Sequence, residues 1–109
     1  MKFFQIMNNL IINAIKFTPE NKSISVTVEN GSKDFIVAVI DEGIGIPDHL
    51  KPFVFQKYTP AGRTGLHGEK SVGIGLSIVK RLTELMKGKI TFRSEEYKGS
   101  TFSLIIPKG

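Results

Sequence analysis

The chain contains no cysteine and no tryptophan. Without thiols it forms neither a disulfide nor a thiolate metal site, a composition that suits a reducing compartment and is read here as cytoplasmic. Its two histidines, His49 and His67, are too few and too scattered to build a metal cluster. No apolar run approaches the roughly 20 residues that span a bilayer, and the opening MKFF leads into a helical pattern rather than a signal peptide, so no direct membrane contact is expected. The basic residues are dispersed, with only two tyrosines to accompany them, which leaves the stacking platform of a nucleic-acid binder unsupported.

What is present suits one compact unit. The 109 residues are 40% hydrophobic, enough for a single core but hardly two. Fifteen Lys and Arg against ten Asp and Glu give a formal charge of +5, which favours anionic partners such as phosphates but decides nothing alone.

Residues 2–17 place apolar side chains at Phe3, Met7, Leu10, Ile11, Ala14 and Ile15, a helical spacing that Thr18-Pro19 stops. No capping residue opens this helix, which predicts that the chain begins inside or just before a helix of a larger protein. SISVTVE (23–29) alternates as a half-buried strand does. NGSKD then supplies turn residues before the apolar run FIVAVI (35–40), so the two strands form a hairpin. A short, weakly helical segment spans Pro47 to Phe55, and YTPAGRTGLHGEKS (58–71) reads as a long loop. Ser71 can cap a helix running to Lys87, with Leu76, Val79, Leu82, Leu85 and Met86 on its apolar side and Gly88 as its stop. KITFRS (89–94) and STFSLII (100–106) close the chain as two strands. The expected fold is α+β: a two-layer α/β sandwich, with a mixed sheet of at least four strands, helices on one face and the long loop across one end.

Three segments carry chemistry. At roughly 100° per residue, Asn9, Asn13 and Lys16 fall within about 60° of one another on the first helix. One asparagine on a helix is ordinarily solvated. A stripe of amides is less ordinary, because Asn is a middling helix former and Glu, Lys or Gln would serve a merely wet face better. A side-chain carbonyl oxygen is also a hard ligand that suits Mg²⁺. Second, VIDEGIGIP (39–47) puts Asp41 at the end of a buried strand, where it could accept from an exocyclic amino group, with Gly43 and Gly45 letting the backbone approach a flat ligand. By itself this reads equally as a tight turn. Third, EKSVGIGLSIV (69–79) places Gly73 and Gly75 at a helix start, where free N–H groups hold anions. Neither the dinucleotide Gly-x-Gly-x-x-Gly pattern nor the P-loop pattern is met.

In this order, NNLIINAIKFTP, DEGIGIP, FVFQKY and SVGIGLSIVKRL resemble the N, G1, F and G2 boxes of the catalytic ATP-binding domain of bacterial sensor histidine kinases, in the GHKL superfamily. The resemblance covers nearly the whole chain, and GSTFSLIIP is similar to the family's closing strand. It implies a histidine kinase-like ATP-binding domain over 1–109 that lacks the family's first strand and helix, with an ATP lid at about 58–71. It also implies that Asn13 coordinates Mg²⁺ on ATP with Asn9 assisting, that Lys16 lies near the phosphates, and that Phe17 stands by the adenine or ribose. Asp41 would read the adenine amino group, partly through a water shared with Ser100, and Gly43, Gly45 and Ile46 would wall the base. Gly73, Ile74, Gly75 and Leu76 would meet the phosphates, and Phe55 would pack at the root of the lid.

Two positions depart from the family pattern. Ser71 stands where a further glycine is usual, and Pro60 where a lid arginine often falls, which leaves Arg63 or Lys70 to supply lid charge. Neither histidine lies in a helix fit to be the phosphoacceptor. The implied partners are therefore the helical phosphoacceptor and dimerisation domain of a parent kinase, which the resemblance allows to be membrane-anchored, and indirectly a response regulator. Two other readings remain: an ATP-hydrolysing member of the gyrase, chaperone or mismatch-repair kind, and a degenerate binding module. The first is disfavoured because the position four before the magnesium asparagine is a glutamate in those relatives and Asn9 here, and an amide cannot take a proton from water.

Overall fold

The computed structural model describes residues 2–55, 63–64, 70–71 and 74–108, with only the backbone described at 63–64, 70–71 and 74–75. Helix α1 (Lys2–Lys16) buries Ile6, Leu10 and Ala14, one above another at i, i+4 and i+8. Strands β1 (Ile24–Asn30) and β2 (Asp34–Asp41) form the expected hairpin, closed where the Gly31 N–H donates to Asp34 O at 2.9 Å. A 3-10 helix, Asp48–Phe53, follows the glycine turn, and Pro52 within it suits a helix too short to need every donor. The segment read as a loop contains two short strands, β3 (Arg63–Thr64) and β4 (Lys70–Ser71), paired antiparallel. Helix α2 (Ile74–Leu85) leads to β5 (Lys89–Glu95) and β6 (Gly99–Pro107).

The four long strands lie in the order β1-β2-β6-β5 and every neighbouring pair is antiparallel. This corrects the expectation of a mixed sheet. The connection from β2 through α2 to β5 does join two strands that run the same way, but β6 returns between them, so no parallel neighbours arise among the described residues. Both helices cover one face. Beneath them lie Val37, Val39, Phe102 and Leu104, joined by Val79, Leu76, Ile46 and Val54 in one core.

Four further expectations are corrected. Ser71 pairs in β4 instead of capping α2. Helix α2 stops at Leu85, and the left-handed residue after it is Lys87 (φ 61°) rather than Gly88. The Gly88 N–H donates to Thr83 O at 3.0 Å and the Lys87 N–H to Glu84 O at 2.9 Å, a Schellman turn. Glycine is required at 88 for closeness, because a Cβ there would sit 2.5 Å from Ile105 O. Leu85, read as apolar-side, is exposed, and the core position belongs to Thr83, whose hydroxyl is satisfied by Val79 O at 2.7 Å. Finally, β1 alternates as expected yet is not half-buried: only Ile24 is partly covered.

Candidate functional site

One end of the sandwich collects the chemistry-bearing segments. Strand β2 ends there at Asp41, α1 ends there at Lys16, and α2, which runs on into β5 at the far end, starts there at Ile74. The join begins with Phe17, whose carbonyl accepts the Ile44 N–H at 3.0 Å and so ties the end of α1 to the DEGIGIP turn. Gly43 permits that contact, since a Cβ on it would lie 2.3 Å from Phe17 O.

Asp41 is 7% exposed. Its Oδ1 accepts the Gly43 N–H at 2.9 Å, closing the turn that its own strand leads into, and the Ser100 N–H at 3.2 Å across the ladder to β6. A buried carboxylate is tolerable only when such donors reach it. The other side of the turn is anchored to the β5–β6 hairpin. The Ile46 N–H donates to Ser94 Oγ at 2.7 Å and the Tyr97 N–H to Ile44 O at 2.7 Å. Ser94 Oγ lies 3.1 Å from Gly99 O and 2.8 Å from Ser100 Oγ. With one proton per hydroxyl, the consistent assignment has Ser94 donating to Gly99 O and Ser100 donating to Ser94, which leaves the lone pairs of Ser100 as acceptors. Gly45 is left-handed (φ 70°), and a Cβ on it would meet Glu95 O at 2.1 Å. Only glycine fits at 45, for conformation and space together.

On α1, Asn9, Asn13 and Lys16 are half-buried along one flank. Asn9 Nδ2 donates to Gln5 O one turn back at 2.9 Å, which fixes the amide and turns its carbonyl oxygen toward the role of acceptor. Phe17, Ile46 and Leu76 are in place at this end, but each is at most 9% exposed and lies in the core, so they shape the site chiefly through backbone. Ile74 and Gly75 open α2, where the first N–H groups of a helix are unpaired by its own ladder. The expectation for Gly73 falls outside the described residues. Arg63 and Lys70 lie in the β3–β4 ladder, with their side chains outside the described set. Phe55 meets Phe92 edge-on at 5.6 Å and Phe102 at 6.2 Å.

Around the rim, Glu42 accepts the Ser23 N–H at 2.8 Å. This backbone bond, then the Ser23 hydroxyl, holds its carboxyl below the usual range. Asp48 is lowered by its hydrogen bond and ion pair with Lys51 at 2.8 Å. Thr18, 4% exposed, has an Oγ1 with no hydrogen-bond partner among the described residues. A shallow cavity of about 400 Å³ beside Asp41 is lined by residues of β2, β5 and β6 and by none of α1, so it does not adjoin the amide flank.

Sequence reasoning missed Ser94 and Gly99. Ser94 was findable: in β5 it follows Ile90 and Phe92 on the core-facing alternation, where a hydroxyl needs a polar partner. Gly99, with φ 125° and a would-be Cβ 2.2 Å from Asp41 O, declares itself only through the fold.

The model of histidine kinase-, DNA gyrase B-, and HSP90-like ATPases matches residues 1–109. The chain belongs to this ATPase family. Among relatives in it, the signal transduction histidine-protein kinase ArlS of Staphylococcus aureus (strain USA300) is 35% identical over 104 residues, 95% of this chain and 23% of the kinase. The chain thus spans less than a quarter of the length of that relative. The catalytic domain of histidine kinase ThkA, in a nucleotide-free form, superposes with a TM-score of 0.80 at 32% identity, over 98% of this chain and 67% of that one. Full-length ShkA, crystallised in complex with AMPPNP, superposes with a TM-score of 0.80 at 27% identity, over 97% of this chain and 21% of ShkA. Within the family the chain is an ATP-binding domain similar to those of sensor histidine kinases. No helix among its described residues is long and apolar enough to cross a membrane.

Proposed function

We propose that this chain is the nucleotide-binding part of a two-component sensor histidine kinase, which binds Mg-ATP and presents the γ-phosphate to a histidine on a separate helical dimerisation domain. Asp41 takes the adenine amino group. Ser100, its hydroxyl oriented by Ser94, holds a water against the same edge of the base. Gly43, Gly45 and Ile46 form the wall, and Phe17 closes it from the end of α1. Asn13, with Asn9, supplies carbonyl oxygens to Mg²⁺, Lys16 and the start of α2 at Gly73 to Leu76 face the phosphates, and Arg63 or Lys70 adds lid charge. The lid is the segment 58–71.

The donor set fits magnesium. Neutral amide oxygens are hard ligands, and no group of three His, Cys, Asp or Glu is assembled among the described residues, so the ion would share its shell with phosphate oxygens and water. When bound, the ion neutralises phosphate charge; positioning and charge neutralisation are most of what phosphoryl transfer asks of a protein. The observation that carries transfer over hydrolysis is Asn9. Its Nδ2 is engaged by Gln5 O, and an amide in that place offers no base to activate water. A response regulator would take the phosphate later, from the histidine.

The test is titration with ATP, with and without Mg²⁺, followed by amide spectra and melting temperature, alongside an ATPase assay. The expected result is Mg-dependent binding at micromolar to millimolar nucleotide, raising the melting temperature, with negligible release of inorganic phosphate. Absence of any shift at millimolar Mg-ATP sinks the proposal. Substantial turnover by the chain alone replaces it with the hydrolytic reading.

A further inference from the structure

The hydroxyl of Ser94 is fully used. Its Oγ accepts the Ile46 N–H at 2.7 Å and lies 3.1 Å from Gly99 O, a group that can only accept. The single Ser94 proton goes to that carbonyl, so the 2.8 Å contact with Ser100 Oγ is made with the proton of Ser100. The reverse assignment would leave the Ser94 and Gly99 oxygens facing each other with no proton between them. Ser100 therefore has lone pairs to offer and no donor.

A second acceptor stands beside it. The Ser100 N–H meets Asp41 Oδ1 at 3.2 Å, and an ionised carboxylate only accepts. Asp41 and Ser100 are 7% and 8% exposed, so little solvent competes at this corner and a mismatched polar group there is costly.

We infer that Ser94 is a positioning residue for base selection: by taking the Ser100 proton it makes the corner of Asp41 and Ser100 an acceptor only, which admits a 6-aminopurine and rejects a 6-oxopurine. The inference rests on the proposed nucleotide reading and adds to it the residue that sets selectivity. A 6-amino group carries two N–H donors, one for Asp41 and one for Ser100 or a water that Ser100 holds. Such a water spends its protons on Ser100 and Asp41 and shows the base only lone pairs. A 6-oxo group brings lone pairs to both positions, and the buried acceptors go unpaired. Asp41 alone would discriminate through one contact; with Ser94 in place the corner discriminates through two. Without Ser94, the Ser100 hydroxyl is again a donor, and one of the two contacts tolerates an oxo group.

Calorimetric titration of the 109-residue chain with Mg-ATP and with Mg-ITP, its 6-oxo analogue, tests this. Wild type should prefer ATP roughly 100-fold. In Ser94→Ala the preference should fall roughly fivefold, because ATP loses a contact that ITP never makes. The lost partner of the Ile46 N–H weakens both nucleotides alike and cancels in the ratio. Ser94→Thr keeps a hydroxyl and should hold the preference within about twofold of wild type. Since Ser94 acts through Ser100, Ser100→Ala should narrow the preference about as much, and the double variant no further. The inference is overturned by an unchanged preference in Ser94→Ala with both affinities lowered alike, which makes Ser94 a structural anchor. It is overturned equally by a double variant whose loss is the product of the single ones, or by a Ser94→Thr variant as unselective as Ser94→Ala. If Ser94→Ala does not fold, Ser100→Ala decides, and an unchanged preference there has the same force. Wild type that binds ATP and ITP equally ends the selection and keeps the nucleotide reading; wild type that binds neither ends both.

Discussion

The proposed base end and the proposed phosphate end of the site are made in different ways. At the base end, Asp41, Gly43, Ile44, Ile46, Ser94 and Ser100 are joined by backbone-anchored hydrogen bonds, and two glycines fill spaces that no side chain can share. At the phosphate end, Asn9, Asn13 and Lys16 project from a helix that would form without them, half-exposed on its flank. Groups that read a neutral, hydrogen-bonding base must be held in place before the ligand arrives, since a misplaced donor or acceptor there costs about as much as a missing one. Groups that serve a metal and a charged, mobile phosphate chain can stay hydrated until both come. Mutations at the base end should therefore disturb fold and binding together, and those at the phosphate end binding alone.

The largest effect is expected at Gly45. Gly45→Ala puts a Cβ 2.1 Å from Glu95 O at a positive φ, and should lower unfolding stability by about 3 kcal/mol in urea titrations. Asp41→Asn keeps an acceptor for Gly43 and Ser100 but loses the charge. Stability should fall by about 1 kcal/mol, while nucleotide affinity measured by calorimetry drops roughly 100-fold. Ser94→Ala removes the acceptor of the Ile46 N–H and the support of Ser100. It should destabilise by about 1–2 kcal/mol and weaken binding roughly tenfold or less. Asn13→Ala sharpens the contrast from the other side. Stability should move by less than about 0.5 kcal/mol, and affinity should fall about tenfold in magnesium but not in EDTA. Equal losses with and without magnesium would take Asn13 out of the metal site. The smallest effect belongs between the two ends, at Thr18. Replacing its unpartnered hydroxyl by a methyl group in Thr18→Val should be neutral or stabilising by up to about 1 kcal/mol, and binding should not change.

Legibility followed the same division. The amide stripe could be read from the sequence because a helix has one period and fixes which residues share a flank, whatever it packs against. Asp41 was legible because a carboxylate ending an apolar strand is unusual. The Ser94 link was not read, because it depends on β5 and β6 bringing residues 46 and 94 together, and no local period encodes that. The αL residue after α2 was misplaced by one, since the turn put Lys87 in the strained position and used Gly88 to clear Ile105. The sheet was expected to be mixed; the return of β6 between β2 and β5 leaves every neighbouring pair among the described residues antiparallel.

By itself the sequence determined the long elements, the family its ordered motifs resemble, and which polar groups are proposed to meet a nucleotide. These rest on periodicity, turn chemistry and spacing along one segment at a time. Only the tertiary structure decided which strands adjoin, which glycines are obligatory, and that Ser94 meets Ile46. Each of these depends on atoms far apart in the chain arriving within a few ångströms of one another.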